Sequence, residues 1–429
     1  MESSLPPSRF ALGFCAILII PALFVLDGVT ALVLGWVPQS RLDLAILCAA
    51  SLVLLLFCVG LLIRKVRAWV GAKASKLMLC TCTLVMAWLV AELVVGAFFE
   101  DAIDFHTRGQ NLQVIVRPDP ALMPGLRREV RYTTNSRGVR GPEFPPRADA
   151  YRILCVGGST TECNYMDDED TWFRLIMNRL NAEEGMQPVW VGGVGYAGYT
   201  TREHIHFIRE SSLAKEVDCI VSLIGVNDFQ SFLAPLRREW DDVAQPIWRR
   251  SRVIDGMRVV ARKLAPWPNL AINDVTGDVY TLRRQRRRSM ELVDTLPDLT
   301  EALRDYKQRI RAMAELADKL SVRLVFATQP YVWRDDLPPE VKSRLWFGWM
   351  KGEKSLSINK LRIGMELFNQ ALVSVCNEIG VPCIDLSHLN GNESLYIDDC
   401  HFTIAGTRTV ADALATWFLD HRNGERWAE

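Results

Sequence analysis

Four short segments carry residue types suited to acyl chemistry. In Cys155-Val156-Gly157-Gly158-Ser159-Thr160-Thr161-Glu162 a serine follows two glycines at the end of an apolar run. Two glycines permit a tight strand-to-helix turn, and a serine on it presents its hydroxyl at a sheet edge, with its own N–H near a helix N-terminus. Taken alone, such a turn reads as readily as a structural feature or a phosphate-binding loop. The run Gly192-Gly193-Val194-Gly195-Tyr196-Ala197-Gly198-Tyr199-Thr200 offers bare backbone that can aim an N–H at a reacting carbonyl oxygen, and Gly193, Gly195 and Gly198 all qualify. Gly225-Val226-Asn227-Asp228 supplies a side-chain amide suited to a developing oxyanion. Near the C-terminus, Tyr396-Ile397-Asp398-Asp399-Cys400-His401 sets a carboxylate three residues before a histidine, as a general base oriented by an acid requires. Asp399 competes with Asp398, but the three-residue spacing lets a loop carboxylate curl back to the ring more easily. His204, His206 and His388 read as core or surface residues.

These segments lie between elements of alternating type. β-type runs fall at Tyr151 to Val156, Val189 to Val194, Cys219 to Ile224, Val322 to Thr328 and Pro382 to Leu386. Helical patterns fall at Thr171 to Asn181, Thr201 to Glu210, Leu299 to Leu320, Asn359 to Glu378 and Ile404 to His421. Such alternation predicts an α/β fold with a parallel sheet covered by helices on both faces, and its site at the carboxyl ends of the strands.

In this order, Ser after strand one, Gly after strand two, Gly-x-Asn-Asp after strand three and Asp-x-x-His before the last helix resemble the SGNH hydrolases, also called GDSL-like esterases. The resemblance covers roughly residues 150 to 422. It implies a three-layer αβα, flavodoxin-like fold with a five-stranded parallel sheet. It also implies Ser159 as nucleophile, Asp398 and His401 as its partners, and an oxyanion hole from Ser159, Gly195 and Asn227, with no cofactor and no metal. The sequence departs from the older signature in having Gly-Gly-Ser-Thr where Gly-Asp-Ser-Leu is common, and Gly193 where many relatives have Asn. Neither change removes a catalytic group.

Of the eleven cysteines, none forms a Cys-x-x-Cys pair with companion histidines, which argues against structural zinc. If the triad assembles, Cys163 and Cys400 become neighbours, and in an oxidising compartment a Cys163–Cys400 disulfide is expected. Cys155, Cys219 and Cys383 fall on predicted central strands, as small core residues do.

The hydrophobic content of 49% is concentrated in the first hundred residues. Three apolar stretches, about 10–37, 44–63 and 77–99, are each long enough to cross a bilayer. Arg64, Lys65, Arg67, Lys73 and Lys76 between the second and third place that loop, and the N-terminus, in the cytoplasm. Three spans then put the rest of the chain on the extracytoplasmic, periplasmic side. Asp27 and Glu92, within or near the apolar runs, read either as functional groups or as interfacial or helix-contacting ones. Residues 100–150, rich in Arg, Pro and Gly, read as a connector with a hairpin, and the hydrolase domain as 151–422 with an insertion at about 229–298.

The net charge is zero, from 50 basic and 50 acidic residues, so nucleic acid is not an expected partner. The insertion is locally basic and aromatic, with Trp240, Trp248, Trp267 and the run Arg283-Arg284-Gln285-Arg286-Arg287-Arg288. Tyr331, Trp333, Trp346, Phe347 and Trp349 follow strand four. Both groups fit either a substrate cleft or a surface facing anionic lipid. The function classes that follow are an esterase acting on acyl esters, O-acetyl included, of an envelope glycan or lipid; an acyltransferase with the same triad, which would need a membrane partner to deliver its acyl donor; and an inert glycan-binding module. The last is disfavoured because all five catalytic positions are filled. The expected partners are thus an acyl-ester substrate, a carbohydrate among the candidates, and the lipid bilayer.

Overall fold

The computed structural model describes residues 63–98, 107–234, 278–423 and 426–427, with scattered positions between 25 and 59 and at 253. The first two predicted spans lie largely outside the described residues. These residues fall into two compact units, one up to residue 103 and the other comprising 104–236 and 268–429.

In the first unit a short basic helix, Arg64–Ala72, precedes helix α1, Ala74–Phe98. Within α1, Ala74–Val94 has a mean hydropathy of 2.1 over 21 residues. Leu79, Leu84 and Leu93 are exposed on it. It is the one described helix long and apolar enough to cross a membrane. It begins three residues before the third predicted span.

The second unit is an α/β layer structure. Its strands are β1, Tyr151–Gly157; β2, Val189–Gly195; β3, Cys219–Ile224; β4, Arg323–Thr328; and β5, Cys383–Ile384. They lie in the order β5-β4-β3-β1-β2, and all neighbouring pairs are parallel. β1, β2 and β3 are buried along their whole length, which only a sheet covered on both faces produces. Connecting them are α2, Ser159–Glu162; α3, Trp172–Leu180; α4, Thr201–Glu210; α5, Val226–Leu233; α6, Asp278–Ser289; α7, Thr300–Lys319; α8, Ile358–Ile379; and α9, Ile404–Asp420. α3 packs with α9, while α7 packs with both α4 and α8, giving the two helical layers.

Local chemistry fixes several helix ends. Thr200 and Glu203 form a capping box at the start of α4, and the Ser357 and Thr403 side chains cap α8 and α9. α8 ends on Gly380 in the left-handed region, φ 71°. The five strands and five long helices predicted in this unit are therefore present, each within a few residues of its expected bounds.

Residues 107–150, expected as a connector, belong to the second unit. They contain the expected hairpin, Gln113–Val116 with Val130–Thr133, and they extend the sheet edge through an antiparallel bridge from Arg140 to Gly193. The described part of the insertion contributes α6 and a short strand, Glu291–Val293, which pairs with Lys354–Leu356.

Candidate active site

Parallel strands bring their carboxyl ends to one rim, and the four segments meet there. Ser159 opens α2 directly after β1. Gly158, its N-cap, has Asn227 so close that an added Cβ would lie 2.4 Å from the amide nitrogen. A glycine is thus required for the approach.

His401 Nε2 lies 2.7 Å from Ser159 Oγ, and His401 Nδ1 lies 2.8 and 2.9 Å from the two Asp398 oxygens. An Nδ1–H donated to the carboxylate leaves Nε2 as an acceptor for the serine hydroxyl. Asp398 also accepts the backbone N–H groups of Cys400 and His401 and the indole N–H of Trp346, at 3.0, 2.9 and 2.9 Å. Burial pushes the Asp398 carboxyl up, but the His401 charge and these donors outweigh it and hold it down at about 2. The neighbouring Asp399 faces away from the imidazole. It accepts from Trp333 Nε1 and from the N–H groups of Trp346 and Phe347, so it ties the loop to the aromatic segment. Burial and the Asp398 charge push its carboxyl up.

Asn227 sits at the start of α5 and donates its amide to Tyr199 O at 2.9 Å, beside the Gly198 turn. The three glycines of that segment are placed differently. Gly193 N–H donates outward to Arg140 O, whereas Tyr196 N–H donates inward to Gly157 O. Strand alternation therefore turns the Gly195 N–H outward too, away from β1 and Ser159. Gly195 has a packing role: an added Cβ would lie 2.1 Å from Glu162 N, so only glycine lets α2 close on β2. Gly198, in the left-handed region at φ 83°, stands next to the carbonyl that holds Asn227. The expectation for Gly195 thus meets an amide that strand alternation turns outward, while Gly198 is the glycine that precedes the carbonyl holding Asn227.

The expected disulfide is not formed; both thiols are free. Cys163 adopts φ 52° at the end of α2 and turns its thiol onto Thr160 O at 3.2 Å, while Cys400 Sγ lies 4.0 Å from His401 Nδ1. Burial raises both thiols, Cys163 to about 12, as suits inert core groups. Asp398, Cys400 and His401 place three potential metal-ligand atoms within 4.8 Å, but both imidazole nitrogens are already engaged with Asp398 and Ser159. His204 is buried in α4, and His206 and His388 are exposed.

Several supports around the site had no spacing signal. Trp346 stacks on His401 at 6.2 Å and 23°, and Tyr280 of α6 meets the same ring edge-on at 6.1 Å. Arg140, from the lead-in, is buried and donates to Glu162 O and Cys163 O, carbonyls left at the end of α2, and to Met166 O in the loop that follows. Glu162 accepts the Ala197 N–H at 2.8 Å and pairs with Arg108. Only the aromatic cluster after strand four, which includes Trp346, stood out in the sequence, without a partner named for it.

A sequence profile described as the GDSL-like Lipase/Acylhydrolase family matches residues 155–409, more than half of the chain. The chain belongs to that family. This GDSL-like hydrolase is by that membership a serine ester hydrolase. Similar solved structures include an α/β hydrolase from the metagenome of Lake Arreo, Spain, 12% identical, covering 62% of this chain and 94% of its own, at a TM-score of 0.36. An acetylxylan esterase from Geobacillus stearothermophilus is 15% identical, covering 62% and 93%, also at 0.36. A protein of the G-D-S-L family from Desulfitobacterium hafniense is 12% identical, covering 62% and 98%, at 0.33. Among curated proteins no relative matches.

Proposed function

We propose that this hydrolase is a membrane-anchored, extracytoplasmic esterase that cleaves acyl esters, O-acetyl esters included, of a cell-envelope glycan or lipid. Ser159, His401 and Asp398 form its triad. The observation that carries the reading is the continuous chain of contacts from Ser159 Oγ through both nitrogens of His401 to Asp398.

In this reading His401 Nε2 takes the Ser159 proton as Oγ attacks the ester carbonyl. The oxyanion is met by the N–H groups of Ser159 and Gly198 and the Asn227 amide, all at the carboxyl rim. The protonated His401 gives its proton to the leaving alkoxide, and water, activated by the same imidazole, then hydrolyses the acyl-enzyme. Asp398 keeps Nδ1–H in place and stabilises the imidazolium. α1, with the apolar stretches preceding it, serves as the anchor, and the basic residues 64–76 face the cytoplasm.

The test is release of free acid from acetyl and longer-chain 4-nitrophenyl esters by the full chain in detergent. Ser159→Ala and His401→Ala should each remove at least about a thousandfold of kcat. Undiminished turnover in Ser159→Ala would end the assignment of the nucleophile.

A further inference from the structure

The triad leaves helix α6 unexplained. It carries five arginines, Arg283, Arg284, Arg286, Arg287 and Arg288, against one acidic residue, Asp278. Among the described residues none of the five has a carboxylate in an ion pair. Two turn inward and are consumed by structure. Arg284 donates to Arg344 O and Leu122 O, and Arg287 to Leu356 O at 2.8 Å and to Phe347 O and Ser355 Oγ. Arg288 reaches Ser343 O, and Arg286 lies over Trp349 at 5.1 Å.

Arg283 is the one that turns to the site. It is exposed, with its guanidinium 4.5 Å from the centre of the Trp346 ring and 5.7 Å from that of Tyr280. These are the two rings that wall His401. A guanidinium resting on aromatic faces is held in place while its N–H fork stays free for a planar anion. Cleaving a neutral ester calls for no such group.

We propose that the site takes a carboxylate-bearing acyl ester, an O-acetylated uronate being the simplest glycan case, and that Arg283 is the specificity residue that reads the carboxylate. The proposal rests on the esterase reading. A lipid headgroup is the competing anion, and the placement of Arg283 on the rings beside His401, rather than on an outward face of α6, favours the substrate.

The experiment measures acetate release by the full chain from an O-acetylated methyl glucuronoside and from its uncharged 6-methyl ester, a pair differing by the carboxylate charge and one methyl group. The free acid should be preferred about fivefold in kcat/KM at low ionic strength, the size expected of one exposed charge contact. The preference should shrink in about 0.5 M salt, vanish in Arg283→Gln and be partly kept in Arg283→Lys. Calorimetry on Ser159→Ala should find weaker binding of methyl glucuronoside when Arg283→Gln is added. Equal kcat/KM for the two sugars in the unmodified protein, or an equal proportional loss on both in Arg283→Gln, would overturn the proposal. So would lost binding to phosphatidylglycerol vesicles in Arg283→Gln with the sugar preference intact. Turnover of neither the sugars nor the 4-nitrophenyl esters, alongside Arg283-dependent uronoside binding to Ser159→Ala, would sink the esterase reading and leave the anion site standing.

Discussion

Asn227, proposed as an oxyanion donor, is the residue whose chemistry is most separable from folding, because among the described residues its amide donates only to the Tyr199 carbonyl at the rim of the sheet. Asn227→Ala should lower kcat about a hundred- to a thousandfold with KM little changed, as for other side-chain oxyanion donors. A drop confined to KM would remove it from the hole. Asp398 makes a prediction in pH. Its carboxyl is held at about 2 in the folded protein, below an unfolded value of about 3.9, so its contribution to stability is fully present above that value and is lost as the pH falls toward 2. The difference in melting temperature between the protein and Asp398→Asn should therefore hold from pH 7 to about 5 and narrow below about 4. A gap unchanged down to pH 2 would show that the carboxylate is not the group held. Cys163 and Cys400, both free thiols, should take up alkylating reagent after denaturation without reductant.

At the scale of elements, Ser159 is placed by the closeness of α2 to β2. Gly195→Ala would put a methyl group into the Glu162 backbone, which is not a flexible side-chain tip that can swing aside. We expect this substitution to lower stability by about 2 kcal/mol or more and to cut turnover by displacing Ser159. Wild-type stability and activity would mean that the α2–β2 approach is looser than it stands. α6 depends on its inward arginines in the same way. Arg287 is buried and gives its donors to two carbonyls and a serine, so Arg287→Met would remove those buried hydrogen bonds, at about 1–3 kcal/mol. Because α6 carries Tyr280 to His401, activity should fall together with the denaturation midpoint.

For the molecule as a whole, the hydrolase unit has its own continuous core, from Ile153 and Val221 in the sheet to Leu372 and Leu414 in the helices. A chain beginning at residue 104 should fold, stay in the soluble fraction and retain turnover of small esters, whereas the full chain should partition with membranes. Recovery of the shortened chain only in aggregates, or of the full chain free of membranes, would argue against division at this point.

The strands and long helices of this unit were legible because alternating runs of Val, Ile and Leu and helical periodicity are local properties of the chain, readable without partners. Ser159, Asn227, Asp398 and His401 could be singled out because each follows a strand end or precedes a helix, where short motifs keep fixed spacing, and Ser159, His401 and Asp398 come into contact in the fold. What only the tertiary structure decided depends on direction and on contacts distant in sequence. Gly193, Gly195 and Gly198 look alike in a string of letters, and only strand pairing tells which N–H points outward. Cys163 and Cys400 come near one site, yet backbone dihedrals turn the first thiol onto a carbonyl and packing sets the second beside an imidazole. Trp346 reaches Asp398 across 52 residues, and Arg140 reaches the end of α2 from a segment that reads as a linker. No local pattern encodes these contacts, because each exists only once distant segments are packed against the same rim.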